Sequence, residues 1–425
     1  MSETVSIAGR APCLKEPALQ TLLAALSDGE HEARIVGGAV RNVLLDLPVG
    51  DIDIATTTPP EETVRRVAKA GFRAIPTGIE HGTVTAVADG AVFEITTLRT
   101  DVTTDGRHAD VRFGTDWQAD ARRRDFTINA LYADADGRVY DPVGGLPDLE
   151  TRTIRFIGEA RERIEEDYLR ILRFFRFFAW YGQGRPDADG LRACAAMKGG
   201  MDRLSAERVW SELRKLLAAP DPHRALLWMR TASVLTTILP ESEKWGIDLV
   251  GPLVETGQNA GWTPDPLLRL MAMLPPDEAR MKMLADRLRL SNAERDRLLA
   301  FAFNAAPSAE MTDKALKEWL YRQGRPAVLD RLRLSLASAR GRATSDDAAL
   351  VEAGRFAAML ETAENWDIPQ FPLRGADLIS AGMAAGPQIG ERLKAAEEAW
   401  IESGFRLNRD DLLAKACTQT KFDPG

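Results

Sequence analysis

Short runs of alternating apolar and polar residues in the N-terminal part of the chain predict β-strands. The runs "ARIVGG", "DIDIAT", "TVTAVA" and "VFEITTLR" show this pattern, and Asp89-Gly90 between the last two is a hairpin signal. The segment 59–71 predicts a helix, because proline stands at its start and glycine at its end. A short helix is predicted directly after Asp125. Residues 1–153 are therefore predicted to form a mixed α/β region.

Beyond Ile154, helical periodicity replaces the strand patterns almost completely. Breaks fall at proline and glycine clusters such as "APDP" and "PLRGAD". The predicted fold is therefore α+β, with a mixed-sheet head followed by an all-α region large enough to bind a large ligand. The predicted helices cover 159–182, 187–198, 204–218, 222–237, 264–275, 277–289, 291–304, 312–323, 325–341, 345–365, 374–383 and 386–403.

Composition narrows the class of protein. The 425 residues are 45% apolar and 28% charged, as in soluble globular proteins, and no apolar run approaches the roughly 20 residues of a membrane span. We find no signal-peptide pattern. Three widely separated cysteines argue against disulfides and for a reducing compartment, so a cytoplasmic location is predicted. The net charge of −8 argues against indiscriminate nucleic-acid binding and still permits a local basic groove.

Two aspartates in "PVGDIDIATTT" are the first candidate catalytic residues. On a strand, Asp51 and Asp53 would point to one face, while Ile52 and Ile54 would point to the other, into a core. Unpaired carboxylates about 7 Å apart repel each other, and a bound cation removes that cost. A helix cap or a solvated turn is the alternative for either aspartate, but the isoleucines favour a buried strand. The spacing predicts a Mg²⁺ site for phosphoryl chemistry.

Residues that could bind a phosphate lie on either side of these aspartates in the sequence. Gly37-Gly38 follows a strand and opens a helix, so its backbone N–H groups can approach an anion that Arg41 can also reach. A simple tight turn is the alternative. Glu94, in the middle of "AVFEITTLR", is either a third carboxylate near the metal or a solvent-facing strand residue. Both interpretations of Glu94 stay open.

Three consecutive arginines precede Asp125 in "ADARRRDFTINALY". Asp125 is suited to cap a helix, which would hold these arginines rigidly at the helix entrance. We therefore predict that Arg124 contacts a triphosphate, with a solvated loop as the alternative for the basic triplet. For Asp125 itself, a purely structural role is the alternative.

The segment 162–182 is predicted to form one helix with an apolar and a charged face. Phe174 and Phe177 lie among the charges, which indicates that the charged face is covered rather than open to water. Arginine donors and an aspartate acceptor in a shielded cleft can pair with the edge of a nucleobase. The apolar stripe consists of Ile164, Tyr168, Ile171, Leu172, Phe175 and Phe178. The charged residues, spaced three apart, are Asp167, Arg170, Arg173 and Arg176.

Four ordered motifs resemble the class II tRNA nucleotidyltransferase/poly(A) polymerase family of the polymerase-β superfamily. They are "GGAVRNVLL…DIDI", "FEITTLR", "RRRDFTINAL" and "EDYLRILRFFRF". "LSAERVWSELRKLL" is similar to the next helical motif, and 372–405 is similar to the tail of many CCA-adding members. The resemblance implies a polymerase-β-like catalytic head at 1–153, a neck that recognises the base at 154–220, and a tRNA-binding body and tail at 221–425.

The resemblance also implies roles for individual residues. Asp51 and Asp53 would hold Mg²⁺, and Glu94 remains a catalytic candidate beside them. The segment 104–121 corresponds to a flexible loop implicated in the switch from CTP to ATP. The residues implied to bind the nucleotide are Gly38, Arg41, Arg124, Asp167, Arg170, Arg173 and Arg176.

The expected activity is template-independent addition of CCA to the 3′ end of tRNA from CTP and ATP, with release of pyrophosphate. No membrane and no obligatory protein partner is implied. Poly(A) polymerase, A-adding and CC-adding activities stay open, although "IATTTPPEETV" replaces a segment typical of bacterial poly(A) polymerases. The long helical region disfavours a small-molecule nucleotidyltransferase, and Asp51 and Asp53 disfavour a non-catalytic RNA-binding relative.

Overall fold

The computed structural model describes residues 5–88, 90–104, 109–243 and 246–418. The chain divides into two compact units, 1–243 and 244–425. The predicted boundaries at 153 and 220 both fall inside the first unit, and the finer assignment of head, neck and body stays a prediction. Within the described residues, no helix is long and apolar enough to cross a membrane.

Strands of the first unit follow the predicted alternation, since Ile52 and Ile54 are buried and Asp53 between them is exposed. The strands are β1 (Ala33–Val36), β2 (Ile52–Thr56), β3 (Arg73–Gly78), β4 (Thr83–Ala88), β5 (Ala91–Thr97), β6 (Arg99–Thr104), β7 (Ala109–Phe113), β8 (Tyr132–Ala133) and β9 (Val139–Tyr140).

In the described part of the chain, seven of these strands form one sheet in the order β3-β4-β5-β2-β1-β8-β9, and β6 pairs with β7. β2 and β5 run parallel, whereas the other neighbours are antiparallel. The predicted hairpin is confirmed for its two strands, β4 and β5, while Asp89 lies outside the described residues. The mixed sheet followed by helices confirms the predicted α+β fold.

Helices cover the sheet and continue beyond it in the first unit. They are α1 (Pro17–Leu26), α2 (Gly38–Leu44), α3 (Pro60–Lys69), α4 (Trp117–Arg122), α5 (Gly145–Glu150), α6 (Ala160–Glu166), α7 (Leu169–Tyr181), α8 (Ala188–Met197), α9 (Ala206–Leu217), α10 (His223–Thr231) and α11 (Val234–Ile238). Ala121 of α4 packs with Val36 and Ala55, so α4 covers the sheet face that carries Asp53.

The described residues of the second unit are helical and contain no strand. One core joins α16, α17 and α18 through residues such as Leu320, Leu332 and Phe356. The helices are α12 (Val250–Asn259), α13 (Pro266–Met271), α14 (Glu278–Leu288), α15 (Asn292–Phe303), α16 (Asp313–Gln323), α17 (Arg325–Arg342), α18 (Asp347–Asn365), α19 (Gly375–Ser380), α20 (Pro387–Glu402) and α21 (Arg409–Thr418). α12 and α21 were not predicted from the sequence.

The prediction of one helix over 159–182 is wrong. α6 ends at Glu166 and α7 begins at Leu169, with Asp167 in an extended conformation between them (φ −155°, ψ 107°). The Asp167 carboxylate accepts the Leu169 N–H at 3.1 Å, so this polar side chain satisfies a donor at the start of α7. A short break leaves the spacing of the apolar stripe almost unchanged, which is why periodicity missed it.

Two local predictions near the site are also wrong. Asp125 is followed by a single 3₁₀ turn, Thr127–Asn129, and then by β8, rather than by an α-helix that Asp125 caps. The segment 104–121 is not a loop in its described part, because it contains β7 and most of α4. Residues 105–108 of that segment lie outside the described residues.

Candidate active site

Residues from the sheet, α2, the 3₁₀ turn, α7 and α9 converge on one pocket of about 480 Å³ in the first unit. Its lining contains far more charged and polar groups than apolar ones, with six arginines among the residues. The lining residues are Gly37, Gly38, Arg41, Asp53, Arg123, Arg124, Asp125, Asn129, Asp167, Leu169, Arg170, Arg173, Phe177 and Arg208.

The Gly37-Gly38 turn brings backbone close to other groups of the pocket. Gly37 has φ +68°, a conformation that favours glycine, and α2 begins at Gly38. A Cβ on Gly37 would stand 3.3 Å from the Asn129 carbonyl oxygen and 3.8 Å from Nη1 of Arg124. The turn therefore has both a conformational and a steric need for glycine, and an arginine donor faces it.

Carboxylates meet at the centre of the sheet. Asp53 of β2 is the register partner of Glu94 on the parallel neighbour β5, so the two residues lie side by side on one face. Asp51 lies one residue before β2 and not within it, which corrects the prediction that both aspartates belong to the strand. Asp51, Asp53 and Glu94 are all exposed. Asp51 and Glu94 are not part of the pocket lining given above, whereas Asp53 is.

The environment of Asp53 disfavours its charge. Partial desolvation in the cleft, followed by repulsion from Glu94 and Asp51, raises the pKa of Asp53 to about 6, although Arg124 acts in the opposite direction. A cation would relieve this repulsion. Among the described residues, no three His, Cys, Asp or Glu side chains form a complete metal cluster. Mg²⁺ commonly uses only one or two carboxylates together with substrate phosphates, so the residues present fit that ion.

Arg41 is buried below the glycine turn. Its guanidinium donates to Asn129 Oδ1, to Asn42 Oδ1 at 3.0 Å and to the Tyr181 hydroxyl at 2.8 Å. It also lies 4.0 Å above the Tyr181 ring. These contacts join α2 to α7 and leave Arg41 at the wall of the pocket, where the sequence placed it.

Arg124 is held by a buried carboxylate behind the pocket. Its Nε and Nη2 donate to Asp120 Oδ2 at 3.2 and 3.1 Å, and Nε also donates to the Tyr132 hydroxyl at 3.2 Å. Arg123 donates to the other oxygen of Asp120, Oδ1, at 2.8 Å. Burial acts to raise the pKa of Asp120, but Arg124 and Arg123 outweigh it and the pKa is lowered. Asp120 therefore carries its charge in the folded protein.

Asp125 connects the sheet region to α7 instead of capping a helix. Its Oδ1 accepts the Asn129 side chain at 3.0 Å and the Phe126 N–H at 2.9 Å, and its Oδ2 accepts Arg173 Nε at 2.7 Å. Arg173 lines the pocket beside it. The alternative of a structural role for Asp125 agrees with these contacts.

Asp167 and Arg170 line the same pocket but have different partners. Asp167 Oδ2 accepts Arg208 Nη2 of α9 at 2.7 Å. Arg170 donates to Glu166 at 2.6 Å and to the Arg123 carbonyl at 3.2 Å. The predicted arrangement of both residues on one helix face is wrong, because Asp167 lies in the break before α7.

Arg176 is the one predicted nucleotide-binding residue that does not line the pocket as described above. Its Nε donates to Glu212 of α9 at 2.5 Å, and its guanidinium lies 4.4 Å from the Phe177 ring centroid. Phe174 and Phe177 are buried, so the expectation of a covered face is confirmed.

Several pocket residues are not predicted from the sequence alone. Asn129 and Arg208 had only weak signals, namely their positions inside "RRRDFTINAL" and "LSAERVWSELRKLL". Arg123 is one of three equivalent arginines in the sequence, and the sequence predicts Leu169 and Phe177 only as helix residues. Asp120, which lies outside the lining, had no signal at all.

Comparisons with known proteins place this site in a family. The family model "Poly A polymerase head domain" matches residues 33–155, and "Probable RNA and SrmB- binding site of polymerase A" matches 186–245. The mitochondrial CCA tRNA nucleotidyltransferase 1 of Mus musculus is 36% identical over 404 residues, covering 93% of this chain and 89% of the relative. A CCA-adding enzyme of Streptococcus pyogenes serotype M3 is 45% identical over 202 residues, covering 47% and 49%.

The fold has solved counterparts as well. The CCA-adding enzyme of Bacillus stearothermophilus, solved in complex with CTP, has a TM-score of 0.71 at 24% identity and covers 94% of this chain and 97% of that one. A Thermotoga maritima CCA-adding enzyme complexed with tRNA has a TM-score of 0.67 at 21% identity, with 98% and 99% covered.

The relatives define the class as nucleotidyltransferases, and adjacent carboxylates beside an arginine-lined pocket fit that class. The chain belongs to the CCA tRNA nucleotidyltransferase/poly(A) polymerase family. The resemblance inferred from the four sequence motifs is confirmed.

Proposed function

We propose that this protein adds CCA to the 3′ end of tRNA, using CTP and ATP and releasing pyrophosphate. The observation that carries the proposal is the pocket itself, in which Asp53 lies beside six arginines, with Glu94 next to Asp53 on the neighbouring strand. A triphosphate carries several negative charges, and arginines bind phosphate oxygens strongly. The long match to named CCA tRNA nucleotidyltransferases supports tRNA as the acceptor.

The proposal includes Mg²⁺ held by Asp51 and Asp53, with Glu94 beside them. When bound, Mg²⁺ supplies charge stabilisation for phosphoryl transfer at the acceptor hydroxyl. The chain's own groups do the positioning. The Gly37-Gly38 turn and Arg124 face a common space suited to phosphates, as the predicted roles of Gly38 and Arg124 require.

Base selection is proposed at the α6–α7 break. Asp167 offers carboxylate oxygens to the pocket, and Arg170, Arg173 and Arg208 are the nearby donors. Cytosine and adenine each present an amino donor beside a ring-nitrogen acceptor, whereas uracil and guanine present a carbonyl oxygen at the corresponding position. A carboxylate therefore favours the first two bases.

A cytoplasmic location belongs to the proposal as well, and the mammalian relatives are named mitochondrial enzymes. Cell fractionation with an antibody to the chain tests the compartment. A mitochondrial or other organellar signal would contradict it.

The deciding experiment is product sequencing after incubation with tRNA lacking its CCA end, Mg²⁺ and all four NTPs. The proposal expects CCA and no further residues. A run of adenosines, or products that stop after CC or require a preformed CC end, would instead establish the poly(A), CC-adding or A-adding alternative. Omitting tRNA is the control, because free nucleotide should then give no product.

A further inference from the structure

Asp120 is a buried carboxylate that lies behind the pocket and touches two of the arginines that line it. Its exposed fraction is 1%, and it lies on α4, a short helix that packs against the sheet. Oδ1 accepts from Arg123, while Oδ2 accepts from Arg124 and from the Tyr132 hydroxyl at 2.8 Å. A buried charge needs such partners, and here the two arginine partners are themselves parts of the pocket wall.

The hydrogen bonds divide the Arg124 guanidinium into two edges. Nε and Nη2 face Asp120, whereas Nη1 lies 3.8 Å from the position that a Cβ on Gly37 would take. The edge turned away from Asp120 therefore points at the glycine turn. Since the guanidinium is planar and rigid, holding one edge fixes the direction of the other.

We propose that Asp120 is a positioning residue that, together with Tyr132, aims Nη1 of Arg124 at the β- and γ-phosphates of the incoming nucleotide. This inference rests on the proposed function only in taking the ligand to be a nucleoside triphosphate. Asp120 itself does not touch the nucleotide, since it lies outside the pocket lining.

In Asp120→Asn, the loss of charge and the loss of positioning are expected to change CTP affinity in opposite directions. Removing a negative charge makes the pocket more positive, which by itself would strengthen binding of CTP. An asparagine also turns an N–H₂ group toward one of the two arginines, and the released guanidinium loses its direction. If positioning dominates, CTP binding weakens by about tenfold, the range for a lost charge-assisted hydrogen bond.

The test measures equilibrium binding of CTP and of CMP by calorimetry, without divalent cation and without tRNA. CMP lacks the β- and γ-phosphates, so its affinity should stay within about twofold while CTP weakens about tenfold. Asp120→Glu keeps the charge and should restore part of the CTP affinity. Unchanged or tighter CTP binding, or an equal loss for CTP and CMP, would overturn the proposal.

Tyr132→Phe provides a second variant if Asp120→Asn does not fold. It removes only the hydroxyl between Asp120 and Arg124, so CTP should weaken about threefold with CMP unchanged. Tyr140→Phe is the matched control, because that hydroxyl bonds Asp134, away from the pocket. Equal CTP affinities in both tyrosine variants would overturn the proposal. Wild-type protein that binds CTP but adds nothing to tRNA would instead refute the proposed function and leave this inference standing.

Discussion

The unfavourable environment of the Asp53 charge can be tested by measuring the stability of the protein, without an activity assay. The folded-state pKa of about 6 lies above the ordinary value of 3.8, so the folded protein holds the proton more tightly than the unfolded chain does. Stability is therefore lost as pH rises from about 4 through 6. Without divalent cation, we expect Asp53→Asn to raise the free energy of unfolding at pH 7.5 by about 1 kcal/mol, allowing for solvent screening of this exposed group.

Thermal unfolding in a chelator at pH 7.5 and pH 4.5 measures this effect. The gain should be about 2 °C at pH 7.5 and roughly a third of that at pH 4.5. Added Mg²⁺ should raise the Tm of the wild type and not that of Asp53→Asn. Asp136→Asn, at an exposed turn, is the control. A gain of equal size at both pH values would mean that Asp53 is not repelled by its neighbours.

Asp167 is expected to decide between bases, and Arg124 is expected not to. In Asp167→Ala, the carboxylate that should face the amino group of cytosine or adenine is gone. The preference for CTP and ATP over UTP and GTP should then fall by about tenfold, because the mismatch worth about 1–3 kcal/mol disappears. In Arg124→Ala, kcat/KM should fall for all four nucleotides by a common factor. If the ratios of kcat/KM between the four nucleotides are unchanged in Asp167→Ala, Asp167 has only a structural role as the ion-pair partner of Arg208.

At the scale of elements, we expect the break between α6 and α7 to depend on a contact from the 3₁₀ helix that follows α8. The Tyr168 ring occupies the space that a Cβ on Gly200 would take, in the 3₁₀ helix Lys198–Arg203. Gly200→Ala should therefore push Tyr168 away and shift its neighbour Asp167. We expect a loss of about 1–3 kcal/mol in the free energy of unfolding, together with weaker discrimination against UTP.

Gly199→Ala is the matched control, because no atom lies within 4 Å of its added Cβ. Denaturant unfolding and kcat/KM for CTP and UTP are the measurements. The double variant Gly200→Ala/Tyr168→Ala should be no less stable than Tyr168→Ala alone, since removing the ring makes room for the added methyl group. If Gly199→Ala and Gly200→Ala behave alike, the packing of Tyr168 does not hold the break.

At the scale of the whole molecule, a net charge of −8 means that tRNA binding has to come from local basic groups. Affinity should fall steeply with KCl, with a slope near −0.7 to −0.9 per phosphate contact. Arg280 and Lys282 on α14 are exposed, so Arg280→Gln or Lys282→Gln should weaken binding and reduce the slope. Salt-independent affinity would argue against a phosphate backbone as the ligand.

Arg297, on the next helix α15, should behave differently. Its guanidinium donates to Asp330 at 2.7 and 2.8 Å and also contacts Asp265, so its charge is already neutralised within the second unit. Arg297→Gln should lower the Tm, because it leaves the Asp330 carboxylate, whose side chain is only 4% exposed, without its arginine partner. The dependence of tRNA affinity on KCl should stay unchanged. A reduced salt dependence of tRNA affinity with normal stability would mean instead that Arg297 contacts the tRNA.

The sequence by itself determined which residues of β2 share a face and which family the ordered motifs indicate. Alternation around Asp53 is a local property of a strand, so it predicted the buried isoleucines and the exposed carboxylate correctly. The order of the motifs was enough to identify the family, and six of the seven residues it implied for the nucleotide line one pocket.

Only the tertiary structure decided which charges pair and where a helix ends. Arg208 lies 41 residues from Asp167, and Glu212 lies 36 residues from Arg176, so no local pattern could select these partners. Asp120 looked like any surface carboxylate because burial depends on α4 packing against the sheet. The contact of Tyr168 with Gly200, next to the break at Asp167, is likewise tertiary, and periodicity does not record it, since periodicity gives the direction of side chains and not their distant contacts.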